Sequence, residues 1–351
     1  MHKKAVARPD FAIGGKHIAP GTRETIDLPV SVLSDHTPAS MSVHVVHGRR
    51  EGPTIFVSAA IHGDEVIGVE IVRRLLQTAA LKTMKGMLLA IPIVNSFGFM
   101  NQSRYLPDRR DLNRCFPGSS TGSLASRLAH IFMTEVVLKS DIGIDLHSAA
   151  IHRTNLPQIR VTPSKPETMK LAEAFGAPLT ITSKLRSGSL RESAQNQGVD
   201  ILLYEAGEGL RFDEFAVRAG VSGILRVMQH LDMIPAKGAS VPKSRTIHSH
   251  SSSWLRAPVG GLLRTYKTIG EEVSAGDVLG IISDPFGEIE TPVLVDCDGL
   301  LIGRTHLPVI NEGDGLFHIA QIKSTIDAEA KINALTVQLE EDALLDEDEI
   351  I

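Results

Sequence analysis

One short segment combines residue types that bind and activate metal ions. His62-Gly63-Asp64-Glu65 follows an apolar run, Thr54–Ile61, and opens a stretch with helical periodicity, Glu65–Leu76. A histidine and a carboxylate three residues apart can turn toward one point across such a loop-to-helix junction, and both side chains are zinc ligands. The same spacing also arises by chance, as a surface histidine beside a helix-capping acid, so the segment alone leaves both interpretations open.

A second histidine ends another apolar run. His147 closes the predicted strand that begins at Asp141, and Asp145 lies two residues earlier on the same side of that strand. A histidine at such a place can be a satisfied core group. Because the carboxyl ends of parallel strands meet at one sheet edge, His147 can also complete a three-ligand set with His62 and Glu65. Three protein ligands leave a coordination position for water, as in catalytic zinc sites, and Asp145 could orient a ligand histidine.

A further carboxylate ends a third apolar run. The predicted strand Val199–Tyr204 leads directly into Glu205-Ala206-Gly207. Water activated by a metal still needs a base to accept its proton, and Glu205 is the candidate base at the same edge. An ordinary loop acid or helix cap is the alternative reading of Glu205.

The segment from 101 to 118 is polar and rich in arginine, with Arg104, Arg109, Arg110 and Arg114. The fixed donors of a guanidinium group grip a carboxylate in bidentate fashion, which suits this loop to an anionic substrate. A solvated basic loop is the plainer interpretation.

The elements around these residues alternate between strand and helix. We predict strands at Met41–Val46, Thr54–Ile61, Gly86–Val94, Asp141–Leu146 and Val199–Tyr204, and helices at Glu65–Leu76, Leu124–Leu138 and Phe212–Leu231. This order predicts an α/β fold with a mostly parallel or mixed sheet and helices on both faces. We expect this domain to span residues 41–234, after an N-terminal extension over 1–40.

The amino-acid composition changes after residue 234, where Pro, Gly, Ser and His replace the helical pattern. Beyond it, Gly261-Leu-Leu recurs as Gly299-Leu-Leu, and Gly276-Asp as Gly313-Asp. Short apolar runs separated by Gly-Asp turns predict a small all-β unit of two similar halves at 253–325. This unit resembles the barrel-sandwich fold of biotinyl and lipoyl carrier domains, although the expected hairpin tip, Ser283–Glu288, contains no lysine for a carrier role.

Composition excludes several other classes of protein. The longest apolar runs are far shorter than the roughly 20 residues of a membrane span. The formal net charge of −5 arises largely from seven acids in the last twelve residues, so we expect a solvated acidic tail over 326–351 and no nucleic-acid partner.

Two cysteines and an N-terminus without an apolar run predict a cytoplasmic protein. Edges of the small β unit leave self-association open.

Four motifs in order, His62-Gly-Asp-Glu65, Asp111-Leu-Asn113-Arg114, Asp145-Leu-His147 and Glu205-Ala-Gly207, resemble the succinylglutamate desuccinylase/aspartoacylase family, a branch of the zinc carboxypeptidase-like hydrolases. The resemblance covers about 41–231 and extends to the β unit. It implies one Zn²⁺ on His62, Glu65 and His147, and Glu205 as the general base. It also implies carboxylate contacts from Asn113 and Arg114, and oxyanion stabilisation by Arg104, with Arg109 and Arg110 as rivals.

We therefore predict a zinc-dependent amidohydrolase that cleaves the amide bond of a small anionic N-acyl amino acid. Arg109 and Arg191 are further candidate substrate contacts, and Arg191, in the family-like Gly188-Ser189-Leu190-Arg191, could equally be structural. The alternatives are a metallocarboxypeptidase acting on short peptides and a binding protein that has lost catalysis. Succinyl, acetyl and acyl-diamine substrates all stay open.

Overall fold

The computed structural model describes residues 8–163, 165–242, 245–322 and 328–342. The helices are α1 (Ile67–Gln77), α2 (Ser96–Met100), α3 (Leu124–Glu135), α4 (Pro166–Phe175), α5 (Leu190–Asn196), α6 (Glu214–His230) and α7 (Ala328–Glu340). No helix in these ranges is long and apolar enough to cross a membrane.

The strands of the first 240 residues are β1 (Phe11–Ile13), β2 (Lys16–Ile18), β3 (Arg23–Val32), β4 (Pro38–His47), β5 (Arg50–Ala59), β6 (Lys85–Ile91), β7 (Ile142–His147), β8 (Arg153–Val161), β9 (Leu179–Thr182) and β10 (Asp200–Gly207). Those that follow are β11 (Ile247–Ser249), β12 (Ser252–Arg256), β13 (Gly261–Thr265), β14 (Glu272–Val273), β15 (Val278–Ser283), β16 (Glu290–Leu294), β17 (Gly299–Thr305), β18 (Val309–Ile310) and β19 (Gly315–Ala320).

A large mixed sheet runs in the order β12-β19-β17-β8-β10-β7-β5-β6-β4-β3. Its centre, β10-β7-β5-β6, is parallel, whereas β8 and β4 flank that centre in antiparallel pairing. The predicted α/β fold with a mixed sheet is therefore confirmed. All five strands and three helices predicted from the apolar pattern are present, each within a few residues of its expected bounds.

Alternating side chains of the central strands enter two hydrophobic cores, one on each face of the sheet. Ile55 and Val57 of β5 pack with apolar residues of α1 and α6, whereas Phe56 between them packs with those of α3. Burial on both faces explains why the interior parts of these strands are mostly apolar. It also holds the strand ends, and the loops that follow them, in a fixed arrangement.

The small β unit after residue 250 is a sandwich of two sheets. The repeated segments lie on opposite sides of it: β13 and β15 belong to a four-stranded sheet, β16-β15-β13-β18, whereas β17 and β19 belong to the large sheet. Leu263, Leu279, Leu301 and Phe317 fill the space between them. One half of the predicted β unit thus continues the main sheet through the pairing of β17 with β8.

Both ends of the chain are more structured than the apolar pattern indicated. Strand β4 crosses the expected boundary at residue 40, and β3 pairs with β4 along nearly its whole length at the edge of the main sheet. Within the expected tail, 328–340 form α7, whose Ile332, Leu335 and Leu339 are buried. These three residues recur at helical spacing, a signal that the acidic composition of the segment obscured. Residues 1–7, 323–327 and 343–351 lie outside the described ranges.

Candidate metal centre and substrate cavity

A tight loop between β5 and α1 carries His62 and Glu65. The backbone N–H of Glu65 donates to the carbonyl of His62 at 3.1 Å, which closes the turn. Gly63 lies so close to α2 that a Cβ there would meet the carbonyl carbon of Gly98 at 1.9 Å, so only glycine fits. The loop is therefore fixed by its packing, and both side chains point into the end of the sheet.

Three side chains from two strand ends converge. Glu65 lies between two imidazoles, with its Oε1 at 2.7 Å from His62 Nδ1 and its Oε2 at 2.6 Å from His147 Nδ1. One ligand atom from each residue falls within 4.8 Å of the other two, and all three residues are buried. Two imidazole nitrogens and one carboxylate oxygen match the donor set of a catalytic metal site, so this group can hold a metal ion.

Each histidine is oriented by a carboxylate on its other nitrogen. Asp111 Oδ1 lies 3.1 Å from His62 Nε2, and Asp145 Oδ2 lies 2.8 Å from His147 Nε2. The hydroxyl of Ser58 donates to Asp145 at 2.8 Å, which fixes that carboxylate in turn. Because Nε2 of each ring faces its orienting aspartate, Nδ1, which faces Glu65, is the nitrogen that each ring would offer to a metal. This is the arrangement that raises ligand basicity in metal sites.

Charge balance in this buried group depends on the pairing. Burial alone would raise the pKa of the Glu65 carboxyl, but the positive charges of His62 and His147 outweigh it and hold that pKa well below its usual range. Burial would likewise lower the pKa of His147, but Asp145 and Glu65 reverse the effect and raise it. A bound cation can replace these protons, so metal binding is expected to release protons.

Arg104 is part of the same network. Its Nη2 and Nε donate to Asp111 Oδ2 at 2.9 and 3.2 Å, and its Nη1 lies 3.4 Å from Glu65 Oε1. Asp111 therefore holds a candidate metal ligand, His62, and the guanidinium of Arg104 at once. This double pairing outweighs the effect of burial and keeps the pKa of Asp111 below its ordinary value. The guanidinium is thereby fixed beside the metal ligands.

Glu205 occupies the strand position next to His147. Strands β10 and β7 are parallel, with Glu205 in register with His147, and a β-bulge follows between Glu205 and Gly207. Arg160 of β8 forms an ion pair with it, Nε to Oε2 at 2.7 Å. The carboxylate lines the same cavity as His62 and Glu65. The candidate base and the candidate metal ligands are thus brought to one edge, as the sequence predicted.

The loop around Asn113 is docked onto helix α5. Asn113 Oδ1 accepts the backbone N–H of Leu190 at 2.9 Å, so its Nδ2 is the donor that remains for a ligand. Gly188 supports the docking, because a Cβ there would meet the carbonyl oxygen of Arg114 at 2.6 Å. Both Asn113 and Arg114 line the cavity, together with Arg191, whose Nη1 donates to Ser183 Oγ at 3.1 Å.

The structure does not bring Arg109 or Arg110 to the cavity. Both are exposed, and neither is among the lining residues. The cause is a tight turn in which the N–H of Arg109 donates to Leu106 and that of Leu106 donates to Arg110, with Arg109 at a φ of 62°. This turn places the candidate substrate contact Arg109, and the rival oxyanion residue Arg110, outside the site. Of the three arginines weighed for the oxyanion, only Arg104 lies beside the metal ligands.

The cavity has a volume of about 300 Å³ and contains residues that the sequence analysis missed. Arg153 and Arg160 come from β8, whose Asn155, Pro157 and Gln158 break the apolar pattern by which the other strands were predicted. Trp254 comes from β12 in the β unit. It is the only tryptophan of the chain, but composition alone does not reveal that it faces the site.

Fold and site together define an α/β protein with a candidate metal centre at a strand edge, open to a small polar cavity. The chain belongs to the succinylglutamate desuccinylase/aspartoacylase family of deacylase hydrolases, since the model of the family's catalytic domain matches residues 51–231. The family resemblance predicted from the four motifs is confirmed.

Individual relatives agree with this assignment. The N-alpha-acetyl-L-2,4-diaminobutyric acid deacetylase of Halomonas elongata is 26% identical over 314 residues, covering 86% of this chain and 92% of that protein. A succinylglutamate desuccinylase/aspartoacylase from Rhodobacter sphaeroides has a similar structure, with a TM-score of 0.77, 24% identity and coverage of 86% of this chain and 96% of that one. The product-bound ectoine utilization protein EutE (DoeB) from Ruegeria pomeroyi also has a TM-score of 0.77, at 21% identity, with 91% and 100% covered. At these identities the structural likenesses concern the fold.

Proposed function

We propose that this protein is a zinc-dependent hydrolase that cleaves the amide bond of a small N-acyl amino acid, releasing a carboxylic acid and a free amine. The observation that carries the proposal is the convergence of His62, Glu65 and His147 on one buried point. Family membership supports the same reaction class. The deacetylase from Halomonas elongata, similar over most of its length, supports an N-acyl amino acid as the substrate.

His62, Glu65 and His147 would hold the zinc ion, and Asp111 and Asp145 would keep the two imidazoles in the ligating orientation. Zinc bound there supplies a Lewis acid that polarises the acyl carbonyl and lowers the pKa of water. With three protein ligands, the remaining coordination positions are available to the acyl oxygen and to water.

Glu205 is the proposed general base. It accepts a proton from the attacking water and then donates that proton to the leaving nitrogen, so that the amine departs neutral. Its register with His147 and its place in the lining of the same cavity as His62 and Glu65 support this role, and the ion pair with Arg160 orients the carboxylate. Proton transfer between two defined partners requires this kind of fixed geometry.

Arg104 is the proposed residue for the oxyanion. Negative charge develops on the acyl oxygen as the water attacks, and a donor fixed in advance stabilises that charge without reorganising. Asp111 holds the Arg104 guanidinium by two of its nitrogens, while Nη1 is directed toward Glu65. The clamp by Asp111 therefore prepares Arg104 for a charge that appears only during the reaction.

The substrate carboxylate is assigned to Asn113 and Arg114, with Arg191 as a further contact. Asn113 offers its Nδ2, because its Oδ1 is engaged by Leu190. Burial, followed by the nearby positive charge of Arg160, lowers the pKa of Arg191 to about 10, which still leaves it charged at neutral pH. These donors line the same cavity as Glu205.

The cavity favours a small substrate over a peptide. A volume of about 300 Å³ lies at the lower end of the range for small-molecule sites. Trp254 of the β unit forms part of the wall, so the second unit contributes to enclosing the cavity. A metallocarboxypeptidase would need a cleft open to an extended chain.

Both cysteines, Cys115 and Cys297, are free thiols, and we include a reducing, cytoplasmic location in the proposal.

Amine release tests the proposal directly. The purified protein, with its zinc content measured, would be incubated with N-acetyl and N-succinyl amino acids and with peptides blocked at the N-terminus. The proposal requires hydrolysis of at least one N-acyl amino acid that stops on removal of zinc by a chelator and returns when zinc is restored. Cleavage confined to C-terminal residues of the blocked peptides would establish the carboxypeptidase instead.

A further inference from the structure

A second concave site lies at the opposite end of the main sheet from the metal centre. It is enclosed by the start of β3, the turn between β4 and β5, and the segment 81–84 before β6. We call this site, with a volume of about 420 Å³, the distal pocket. Strand β5 begins beside it at Arg50 and ends at Ala59, three residues before His62. Ten extended residues span about 30 Å, so the distal pocket is separate from the substrate cavity.

The distal pocket is lined by four cationic side chains and by no carboxylate of the described residues. The four are Arg23, Arg49, Arg50 and Lys82. Within the described part of the chain, none of them lies at ion-pair distance from an acid. The whole chain has a formal net charge of −5, so this concentration of positive charge is local. Like charges gathered in a concave site attract an anion that carries more than one charge.

Backbone carbonyls hold two of these guanidinium groups. Arg23 Nη2 donates to the carbonyl of Leu76 at 2.9 Å, and Arg50 Nη2 donates to the carbonyl of Thr83 at 2.7 Å. A carbonyl fixes a guanidinium group without cancelling its charge, and each group keeps further N–H donors. Arg23 and Arg50 are therefore held in place as cations that a ligand can still contact.

The position of Arg49 depends on a glycine. Gly21 has a φ of 82°, and a Cβ there would meet Arg49 Nε at 2.5 Å and Arg49 Cγ at 2.7 Å. The Gly21 N–H donates to the carbonyl of His47 at 2.7 Å, and the His47 N–H donates to that of Thr22 at 3.0 Å. The Arg49 side chain thus lies across a backbone that is fixed and carries no side chain at this point.

A buried histidine gives a second, independent indication of a ligand. His47 lines the distal pocket and is 2% exposed. Its Nδ1 lies 3.0 Å from the carbonyl oxygen of Ile18, which can only accept, so Nδ1 carries a proton and donates it. Among the described residues, its Nε2 has no hydrogen-bond partner. A buried ring nitrogen without a protein partner is available to a polar group of a ligand.

The walls of the distal pocket favour phosphate over carboxylate. Guanidinium groups pair with phosphate oxygens through two parallel hydrogen bonds. A phosphate monoester carries about −1.5 to −2 charges at neutral pH, so it balances more of the four cations than one carboxylate can. Val46, Leu81 and Met84 add an apolar part to the wall, and the volume lies within the range of small-molecule sites. The pocket therefore has room for an organic group beside a phosphate.

We propose that the distal pocket binds the phosphate group of a small organic phosphate. Arg23, Arg49 and Arg50 contact the phosphate oxygens, and Lys82 adds charge at the rim. The organic part of the ligand packs on the apolar wall. Nucleotides and sugar phosphates share this chemistry. The proposal goes beyond the hydrolase and does not depend on it, because none of these residues belongs to the metal centre.

Calorimetry of the purified protein with matched ligands tests the proposal. Adenosine 5′-monophosphate, glycerol 3-phosphate and inorganic phosphate differ in what carries the phosphate, whereas adenosine lacks it and citrate replaces it with carboxylates. We expect one of the two esters to bind at least about 30-fold more tightly than adenosine and citrate, and more tightly than inorganic phosphate. The preferred ester identifies the class of ligand. No binding of either ester, or equal affinity for citrate or inorganic phosphate, would overturn the proposal.

Variants place the binding in the distal pocket. In Arg49→Gln and in Arg50→Gln, affinity for the preferred ester should fall about 10- to 100-fold, as expected for the loss of one charge-assisted contact. Arg127→Gln, on the exposed face of α3, is the matched loss of one arginine and should bind as the wild type does. Arg114→Gln, in the substrate cavity, should change the affinity by less than about 3-fold. A loss of affinity in Arg114→Gln but not in Arg49→Gln would place the anion at the metal centre and overturn the proposal.

A pair of glycine variants separates a built site from diffuse charge. Gly21→Ala keeps every charge but puts a methyl group where Arg49 lies, so ester affinity should fall about 10-fold. Gly15→Ala is the matched control, because Gly15 has a φ of 75° and nothing lies within 4 Å of its Cβ position. This variant should bind as the wild type does, and thermal melting checks that both variants are folded. Equal affinity in the two folded variants would contradict a site built around Arg49.

Discussion

Two arginine-rich regions of the molecule differ in whether their arginines are paired with acidic side chains. On the surface between α1 and α6, Arg74 bridges Glu70 and Glu214, at 2.7 Å each, and Arg218 also pairs with Glu214 at 2.6 Å. Each cation there has an acid within direct contact. In the cavity, by contrast, Arg114, Arg153 and Arg186 have none within the described ranges.

The difference separates charges that pair within the fold from charges that the described structure leaves without an acidic partner. Paired surface charges contribute modestly to stability and need no further partner. Unpaired charges gathered in a concave site add repulsion, which the fold tolerates because apolar packing on both faces of the sheet supplies most of its stability. Substitutions in the cavity should therefore affect function, and those between α1 and α6 should affect stability.

The largest effect is expected at a metal ligand. His62→Ala removes one of the three proposed metal ligands and one of the partners that Asp111 and Glu65 share. Bound zinc should become substoichiometric, and turnover should fall by well over 10²-fold, since removing even an outer partner of a ligand costs about 10- to 100-fold. Elemental analysis of the purified variant, alongside the rate of amine release, measures both. Full zinc content with normal turnover would exclude His62 from the site.

Glu205→Gln should separate chemistry from metal binding. The amide keeps the shape of the side chain but cannot accept a proton, so turnover should fall about 10²- to 10⁴-fold while zinc content and thermal stability stay near those of the wild type. Single-turnover kinetics with saturating substrate are the measurement. Activity within a few-fold of the wild type would remove Glu205 from the mechanism.

The cavity arginines should differ from one another in kinetic signature. Arg104→Ala removes a donor for charge that appears only during the reaction, so kcat should fall about 10²-fold with little change in KM. Arg114→Ala removes a contact made before and during the reaction, so KM should rise about 10-fold with a smaller change in kcat. Steady-state kinetics distinguish the two. Arg109→Ala and Arg110→Ala, at exposed positions, should change neither constant by more than about 3-fold, and a kcat defect there would contradict the assignment of Arg104.

The smallest effect is expected on the surface between α1 and α6. Hydrogen bonds from Arg74 and Arg218 lower the pKa of Glu214 from an ordinary 4.5 to about 2. A carboxyl with a depressed folded-state pKa stabilises the protein above its unfolded-state pKa, and this contribution is lost as the pH falls from about 4.5 toward 2. Because the side chain is 54% exposed, we expect about 1 kcal/mol after solvent screening.

Urea unfolding of wild type and Glu214→Gln at pH 7 and pH 3 measures that contribution. The difference in unfolding free energy between the two proteins should be present at pH 7 and shrink at pH 3. Turnover at pH 7 should be unchanged. A constant difference across this pH range would mean that Glu214 acts through packing and not through its charge.

The central sheet and the residues at its ends could be predicted from sequence because local patterns determine them. The runs Thr54–Ile61 and Ile142–Leu146 are mostly apolar, and His62 and His147 follow them directly. Glu205 follows the run Val199–Tyr204 in the same way. Parallel strands then place these three residues at one edge, without any knowledge of loop conformation. The candidate metal ligands were accessible to this reasoning for that reason.

The walls of the cavity could not be predicted in this way. Trp254 reaches it through the pairing of β12 with β19 and of β17 with β8, contacts between segments far apart in the chain. Arg153 and Arg160 lie on β8, where polar residues and Pro157 hide the strand. Asp111 is close to Asn113 in sequence, but its link between His62 and Arg104 depends on how the loop folds back. Long-range strand pairing, more than residue type, determines which side chains line the cavity.

The continuity of the large sheet also bears on how the protein is made. Strand β8 pairs with β10 on one side, but half of its other side is covered by β17, which leaves the ribosome roughly 150 residues later. At about 5 to 20 residues per second, that part of the β8 edge waits about 8 to 30 s for its partner during synthesis. An unpaired strand edge is a template for association with other chains. The cavity, with Arg153 at that edge and Trp254 on a later strand, is accordingly among the last parts of the molecule to be completed.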